Sequence, residues 1–416
     1  MATARTYIFV HLPDGPVPAG LLTMTAEPRN QFATFAYGRR YLERADRVPV
    51  DPVALPLHDA GTELTFRTEE GFGVFGGIRD AAPDGWGQYL MYKAMGDRTP
   101  NDIDMILASG DYRVGALAFG PTPERPQRIT PWGPSDAPGE HFTLEELAEA
   151  AERAQQVDQL DENLRRLLTA GSSLGGARPK AATEIDGQPW IAKFQARNDS
   201  FPECRVELAT MRLAATCGLD VPALDFKRVL ERDIYLIERF DRVSHSNWLE
   251  RRPFASGLTM LGAHESEVSR YSYADLAAAL RQHGTEVRRD LHELFRRMVF
   301  NILVTNDDDH LRNHGFLFDG KGWRLSPLYD VVPKPQVGLE RRLVLGVGPH
   351  GRDATIANAL AGAAGFDLGP DQATAIVEDM RARVAKGWAE HFAQAGVSAA
   401  DQGRFATCFR LASDDL

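Results

Sequence analysis

Asn306-Asp307-Asp308-Asp309-His310-Leu311-Arg312-Asn313 decides how the rest of the chain is read, together with Leu325-Ser326-Pro327-Leu328-Tyr329-Asp330 a little further on. Asp308 stands five residues before Asn313, and a further acidic group, Asp330, follows a strand-like segment. A kinase-type phosphoryl-transfer site needs these parts in this order: a carboxylate for the substrate hydroxyl, then an Asn and an Asp on Mg²⁺. Three adjacent carboxylates repel one another unless cations compensate them. Asp308 has the required spacing to Asn313; Asp307 and Asp309 do not. His310 is placed to order the loop. The alternative is an Asx-rich turn between a helix and the strand Phe316-Leu317-Phe318. Three aspartates, two histidines and an Asn in so short a loop favour chemistry over that turn. A metal hydrolase would instead take Asp307, Asp309, His310 and His314 as ligands. The loop lacks a His-Glu-x-x-His pattern, and such an enzyme would leave the motifs upstream without a role.

Upstream, Gly171-Ser172-Ser173-Leu174-Gly175-Gly176-Ala177-Arg178-Pro179-Lys180 is rich in glycine and ends in cations. Glycines let backbone N–H groups approach phosphates closely, and Arg178 and Lys180 add charge. The same residues also suit a plain turn between a helix and a strand. Trp190-Ile191-Ala192-Lys193-Phe194 sets a Lys inside an apolar strand, where an unpaired ammonium is costly. A kinase strand Lys holds the nucleotide phosphates; an edge-strand Lys facing water is the other reading. Glu207, in the helix-like run Cys204 to Cys217, is a candidate ion-pair partner, although a solvated helix Glu is favoured slightly. Asp233-Ile234-Tyr235-Leu236-Ile237-Glu238-Arg239-Phe240-Asp241-Arg242 reads as a strand ending in a polar-aromatic turn. Such a turn can serve as a hinge whose backbone meets adenine, or as a buried strand running into a salt-bridged turn.

Length and composition frame these motifs. With 416 residues the chain has room for two or three domains and a sizeable core. The formal charge is −11, which argues against a nucleic-acid binder acting alone. Cys204, Cys217 and Cys408 are scattered and show neither metal-ligand nor disulfide spacing, as expected of buried thiols in a reducing compartment. The apolar run at Met1 to Val10 is too short for a signal peptide and no run approaches a membrane span, so a cytoplasmic location is expected.

An α+β class follows from the patterning. Thr6-Tyr7-Ile8-Phe9-Val10 and Gln31 to Tyr37 read as strands, and Gln88 to Ala94 as a helix after a turn-rich run. Six prolines fall between Gly120 and Gly139, which suggests a linker over 120–141. Thr143 with Glu146, and Ser272 with Asp275, are capping boxes that predict helix starts. Leu291, Leu294, Phe295, Met298, Ile302 and Leu303 keep helical spacing. A β-rich middle followed by a helical remainder suits a bilobal kinase-like core over 142–416, divided into 142–243 and 244–416, behind an N-terminal α+β unit over 1–119.

Taken in order, the motifs resemble those of the HipA family of serine/threonine kinases, the toxins of bacterial toxin–antitoxin pairs. Arg79-Asp80-Ala81-Ala82-Pro83-Asp84-Gly85-Trp86-Gly87 and Asp111 to Leu117 look like the family's N-terminal segments; Ser172 to Lys180, Ile237 to Arg242, Asp308 to Asn313 and Pro327 to Asp330 look like its kinase motifs. The resemblance implies ATP held by Gly175, Gly176, Ala177, Arg178 and Lys180, by Lys193, by Glu238, Arg239 and Phe240, and by His310, Asn313, Tyr329 and Asp330. It implies Asp308 as catalytic base, with Asn313 and Asp330 on Mg²⁺. It implies self-phosphorylation at Ser173, or at the adjacent Ser172. It also implies an aminoacyl-tRNA synthetase as substrate and a HipB-like helix-turn-helix antitoxin as partner, with DNA reached through that partner. Arg178-Pro179 and Asp309 depart from the best-known family pattern. A catalytically silent corepressor scaffold and a small-molecule kinase are the alternatives.

Overall fold

The computed structural model describes residues 2–27, 30–95, 101–130, 133–135, 142–157, 164, 176–246, 248–335 and 340–413. Its α+β chain falls into two compact units. The first comprises Met1–Arg197, Val229–Arg232 and Glu238–Ala255; the second comprises Asn198–Arg228, Asp233–Ile237 and Ser256–Leu416.

In the first unit, an antiparallel sheet runs in the order Phe66–Arg67, Asn30–Tyr37, Gly15–Glu27, Ala2–Leu12, Leu117–Gly120. Ile8, Phe9, Val10, Leu22 and Phe35 are all fully buried, so the sheet forms a core on the strength of its β-branched and aromatic content. The helix Gly85–Met95 begins slightly ahead of the expected start. The helix Leu144–Gln156 begins at the Thr143–Glu146 capping box, with both reciprocal bonds formed. Tyr89 Oη and Lys93 Nζ donate to the Ala154 carbonyl, satisfying an end-of-helix acceptor. Strands Lys180–Ile185 and Gln188–Phe194 form a hairpin around Asp186 and Gly187, both at positive φ, as a two-residue primed turn demands. Within the proline-rich stretch, Arg128–Thr130 pairs with Gly133–Ser135.

The second unit is mainly helical, with the helices Glu203–Thr216, Tyr273–His283, Val287–Val304 and Pro370–Gln394, and a hairpin of Gly315–Phe318 and Trp323–Leu325. The Ser272–Asp275 capping box starts the second of these helices. Leu291, Leu294, Phe295, Met298, Ile302 and Leu303 line one buried side of Val287–Val304. Each such side chain contributes roughly 1.5–3 kcal/mol by leaving water. That helix ends at Thr305 in the left-handed conformation (φ 56°), which turns the chain sharply into Asn306 and the aspartate triplet. All three cysteines are buried, and among the described residues none forms a disulfide. Among the described residues no helix is long and apolar enough to cross a membrane.

Candidate active site

The loop after Thr305 is built from both ends. At its start the Asn306 side chain donates to Asn301 Oδ1 (3.1 Å), and its Oδ1 accepts the Asp308 N–H (3.4 Å). Asn301 in turn donates to Tyr273 Oη (2.9 Å). At its end Asn313 Nδ2 donates to the Asp308 carbonyl (2.7 Å), and Tyr329 Oη donates to the Arg312 carbonyl (2.6 Å). The five-residue spacing thus closes a small ring whose backbone is held while the Asp308 side chain stays 54% exposed. Asn313 spends its NH₂ group on that ring, which leaves its carbonyl oxygen, the atom a hard cation would take.

The three aspartates are handled differently. Asp307 and Asp308 share Lys334, whose Nζ lies 3.3 Å and 3.4 Å from their carboxylates. His310 Nε2 lies 3.9 Å from Asp308 Oδ1. Asp309 is buried, and Oδ1 accepts the Val344 N–H (2.6 Å). Burial pushes its carboxyl up to about 7, against the opposing hydrogen bonds from Val344 and Tyr273. His314, fully buried against Tyr273 (ring centroids 5.3 Å apart), is driven down to about 3, first by burial and then by Arg297. Asp330 lies half-buried at φ 61°, a conformation that Asp adopts more readily than most residues. The carboxylates of Glu207 and Asp330 both act on the buried Tyr235 hydroxyl, whose pKa burial first and then these charges raise.

One Asn and one Asp are few ligands, and among the described residues no group of three His, Cys, Asp or Glu is arranged around a metal. That sparse oxygen set suits Mg²⁺, which keeps several waters and takes its other ligands from phosphate. The donor chemistry of Asn313 and Asp330 therefore fits this ion.

The cations expected to meet phosphates belong to the first unit. Lys180 and Lys193 face each other directly across the hairpin, and both are buried. Like charges placed opposite on adjacent strands destabilise a sheet unless anions compensate them. Gly176, at φ 94°, puts the Lys180 ammonium where a Cβ would stand. Its peptide is gripped on both sides: the Asp84 carboxylate accepts its N–H, and its carbonyl accepts the Trp86 N–H (2.8 Å). Ala177 is exposed, while Arg178, Glu238 and Phe240 are half-buried. Arg239 is tied inward. Its N–H donates to the Pro189 carbonyl (3.0 Å), and its guanidinium binds Asp241 and the carbonyls of Tyr112 and Arg113. A nucleotide contact from Arg239 would have to use its carbonyl. Ser172, Ser173 and Gly175 lie outside the described residues.

One expectation is corrected. Glu207 was expected on a solvated helix face and is instead only 2% exposed, because its helix buries Cys204, Val206, Leu208, Ala209 and Met211 around it. The sequence pattern also missed Lys334, Asp84 and the Tyr273–Asn301–Asn306 chain. Lys334, Asp84 and Tyr273 each act across a fold contact that no local spacing records.

Comparison with known proteins bears on the family and the fold. The family model described as HipA-like C-terminal domain matches residues 172–388. A protein of Sinorhizobium fredii named "Putative kinase Y4mE" is 26% identical over 325 residues, 72% of this chain and 71% of that one. A "Putative kinase" of Haemophilus influenzae is 26% identical over 190 residues, 40% of this chain and 55% of that one. Among solved structures, the Shewanella oneidensis MR-1 toxin–antitoxin complex of HipA, HipB and operator DNA contains a chain that matches with a TM-score of 0.67 and 19% identity, covering 98% of this chain and 95% of its own. At that identity the likeness establishes the kinase-like α+β fold.

Proposed function

The chain belongs to the HipA-like C-terminal domain family, and from that premise we propose that it is a serine/threonine protein kinase that uses Mg²⁺-ATP. The observation that carries the proposal is the closed ring of Asp308 and Asn313, which fixes the backbone and presents one exposed carboxylate. In the proposed reaction a serine hydroxyl oxygen of the acceptor attacks the γ-phosphorus, and the bond from that phosphorus to the β,γ-bridging oxygen breaks. ADP leaves with that electron pair, and Asp308 takes the hydroxyl proton. Asn313 and Asp330 would hold Mg²⁺, which supplies charge neutralisation on the phosphates. Lys180 and Lys193 supply fixed positive charge for the phosphates, with Gly175 to Arg178 as the backbone cradle and Glu238 to Phe240 as the adenine edge.

The domain assignment is part of the same proposal: an N-terminal unit over 1–119, a connector over 120–141 and the kinase core over 142–416. So are self-phosphorylation at Ser173 or Ser172 and a growth-arresting role directed at an aminoacyl-tRNA synthetase. A HipB-like antitoxin is the proposed partner, supported by the likeness to a HipA chain solved with HipB and operator DNA. That partner would supply the DNA contacts, consistent with this chain's net charge of −11.

The test is intact-mass analysis with peptide mapping after incubation with Mg²⁺-ATP, wild type beside Asp308→Asn. Wild type should gain phosphate and the variant should not, with unchanged thermal melting. Undiminished phosphate gain by the variant would remove Asp308 from the role of base.

A further inference from the structure

Lys334 lies outside every motif that led to the site, yet its ammonium is one of two cationic neighbours of the Asp308 carboxylate among the described residues; His310 is the other, and only when protonated. Two features make this contact a built one. The Lys334 N–H donates to the Thr305 carbonyl (3.0 Å), so its backbone is pinned to the turn from which the aspartate loop departs. Thr305 is itself fixed: its hydroxyl donates to the Cys408 carbonyl (2.6 Å) and accepts from Arg341 Nη1 (2.8 Å). Lys334 also straddles Asp307 and Asp308, so the repulsion between these neighbours is met by one ammonium.

We propose that Lys334 is a positioning residue for the reaction: it orients the Asp308 carboxylate toward the acceptor hydroxyl and offsets the negative charge of the Asp307–Asp308 pair. The inference rests on the kinase reading and deepens it. Burial works against the ammonium, and Asp308 and Asp307 outweigh that effect, so Lys334 remains a cation. A half-exposed pair of this kind adds little to folding stability. Loss of the amine should therefore appear in turnover and leave melting almost unchanged. A Lys that merely decorates the surface would leave turnover and melting both unchanged. One that held the nucleotide would show its loss in ATP affinity.

The experiment compares wild type, Lys334→Met and Lys334→Arg by ADP release from Mg²⁺-ATP across ATP concentrations, by calorimetric binding of Mg²⁺-ADP, and by thermal melting. Lys334→Met should lower kcat about tenfold to a hundredfold, with KM for ATP and Mg²⁺-ADP affinity within about twofold of wild type. Lys334→Arg, which keeps the charge, should recover most of the lost turnover. Unchanged kcat in Lys334→Met overturns the inference. So does a loss confined to nucleotide affinity. Wild type that neither binds Mg²⁺-ATP nor releases ADP would remove the kinase reading itself, and the inference with it.

Discussion

Asp309 sits one residue from the proposed base, is 1% exposed, and holds its proton up to about 7. The fold therefore favours its neutral form, so its contribution to stability is full below about pH 4 and is lost as pH rises through 7. A carboxyl held near 7 rather than near 4 carries on the order of 4 kcal/mol of pH-dependent stability. His314 works in the opposite sense. Its depressed value favours the neutral ring, so its contribution is present above about 6.5 and fades as pH falls toward 3. Between about pH 4 and 6.5 the two slopes oppose each other. Asp309→Asn removes one of them while keeping an acceptor for the Val344 N–H. Urea melts from pH 4 to 8 should show the variant gaining stability relative to wild type as pH rises, and parallel pH profiles would contradict the assignment. Asp309 could be read from sequence as a departure in the loop, but not as a buried acid. Its hydrogen-bond partners Tyr273, Val344 and Leu345 lie more than thirty positions away in either direction.

Among the elements, the turn Pro83 to Trp86 is the one whose neighbour is least expected. Gly85 lies at φ 41°, and a Cβ there would stand 2.6 Å from the Gly176 carbonyl oxygen. Gly85→Ala should therefore combine backbone strain with a clash and cost about 1–3 kcal/mol. It should also loosen the grip of Asp84 and Trp86 on the Gly176 peptide. If that peptide belongs to the phosphate cradle, Mg²⁺-ATP affinity will fall more than turnover at saturation; titration of wild type against Gly85→Ala reads this directly. Unaltered melting and affinity would mean that the turn merely rests against the loop. Elements defined by local chemistry were legible in the sequence. The Thr143–Glu146 and Ser272–Asp275 boxes start their helices where the side-chain bonds require. The five-residue spacing of Asp308 and Asn313 was legible too, because both residues belong to one turn; the hydrogen bond that closes it was not. The Asp84–Gly176 contact spans 92 positions, and nothing in either segment alone encodes it. The slight preference for a solvated Glu207 failed for a related reason: nothing in its own segment shows that this helix is covered on nearly every side.

On the scale of the molecule, the first compact unit is closed by a buried charge cluster that joins distant parts of the chain. Arg239, Asp241 and Arg242 are each less than a tenth exposed. Asp241 bridges both guanidinium groups (2.8 Å to each) and accepts the Gly115 N–H (2.8 Å). Arg242 also reaches the carbonyls of Gly115 and Arg113, which lie 127 and 129 positions earlier in the chain. The turn at 239–242 was readable in sequence as salt-bridged, but its clasp on residues 112–115 was not. Burial alone would raise the Asp241 carboxyl; Arg239 and Arg242 override it and hold the group far below the usual carboxylate range. Its stabilising effect is thus present above about pH 4 and lost as pH falls further. Asp241→Asn keeps the shape but leaves two buried guanidinium groups without their counter-charge, a change that costs roughly 3–5 kcal/mol when a buried pair is broken. Urea unfolding at pH 7, followed by tryptophan fluorescence, should show an unfolding free energy lower by that amount, read as a lower midpoint at an unchanged slope. The same variant should lose part of the acid-side slope below pH 4 that wild type shows. A midpoint and an acid slope both equal to wild type would mean that the carbonyls of residues 112–115 satisfy the two arginines unaided.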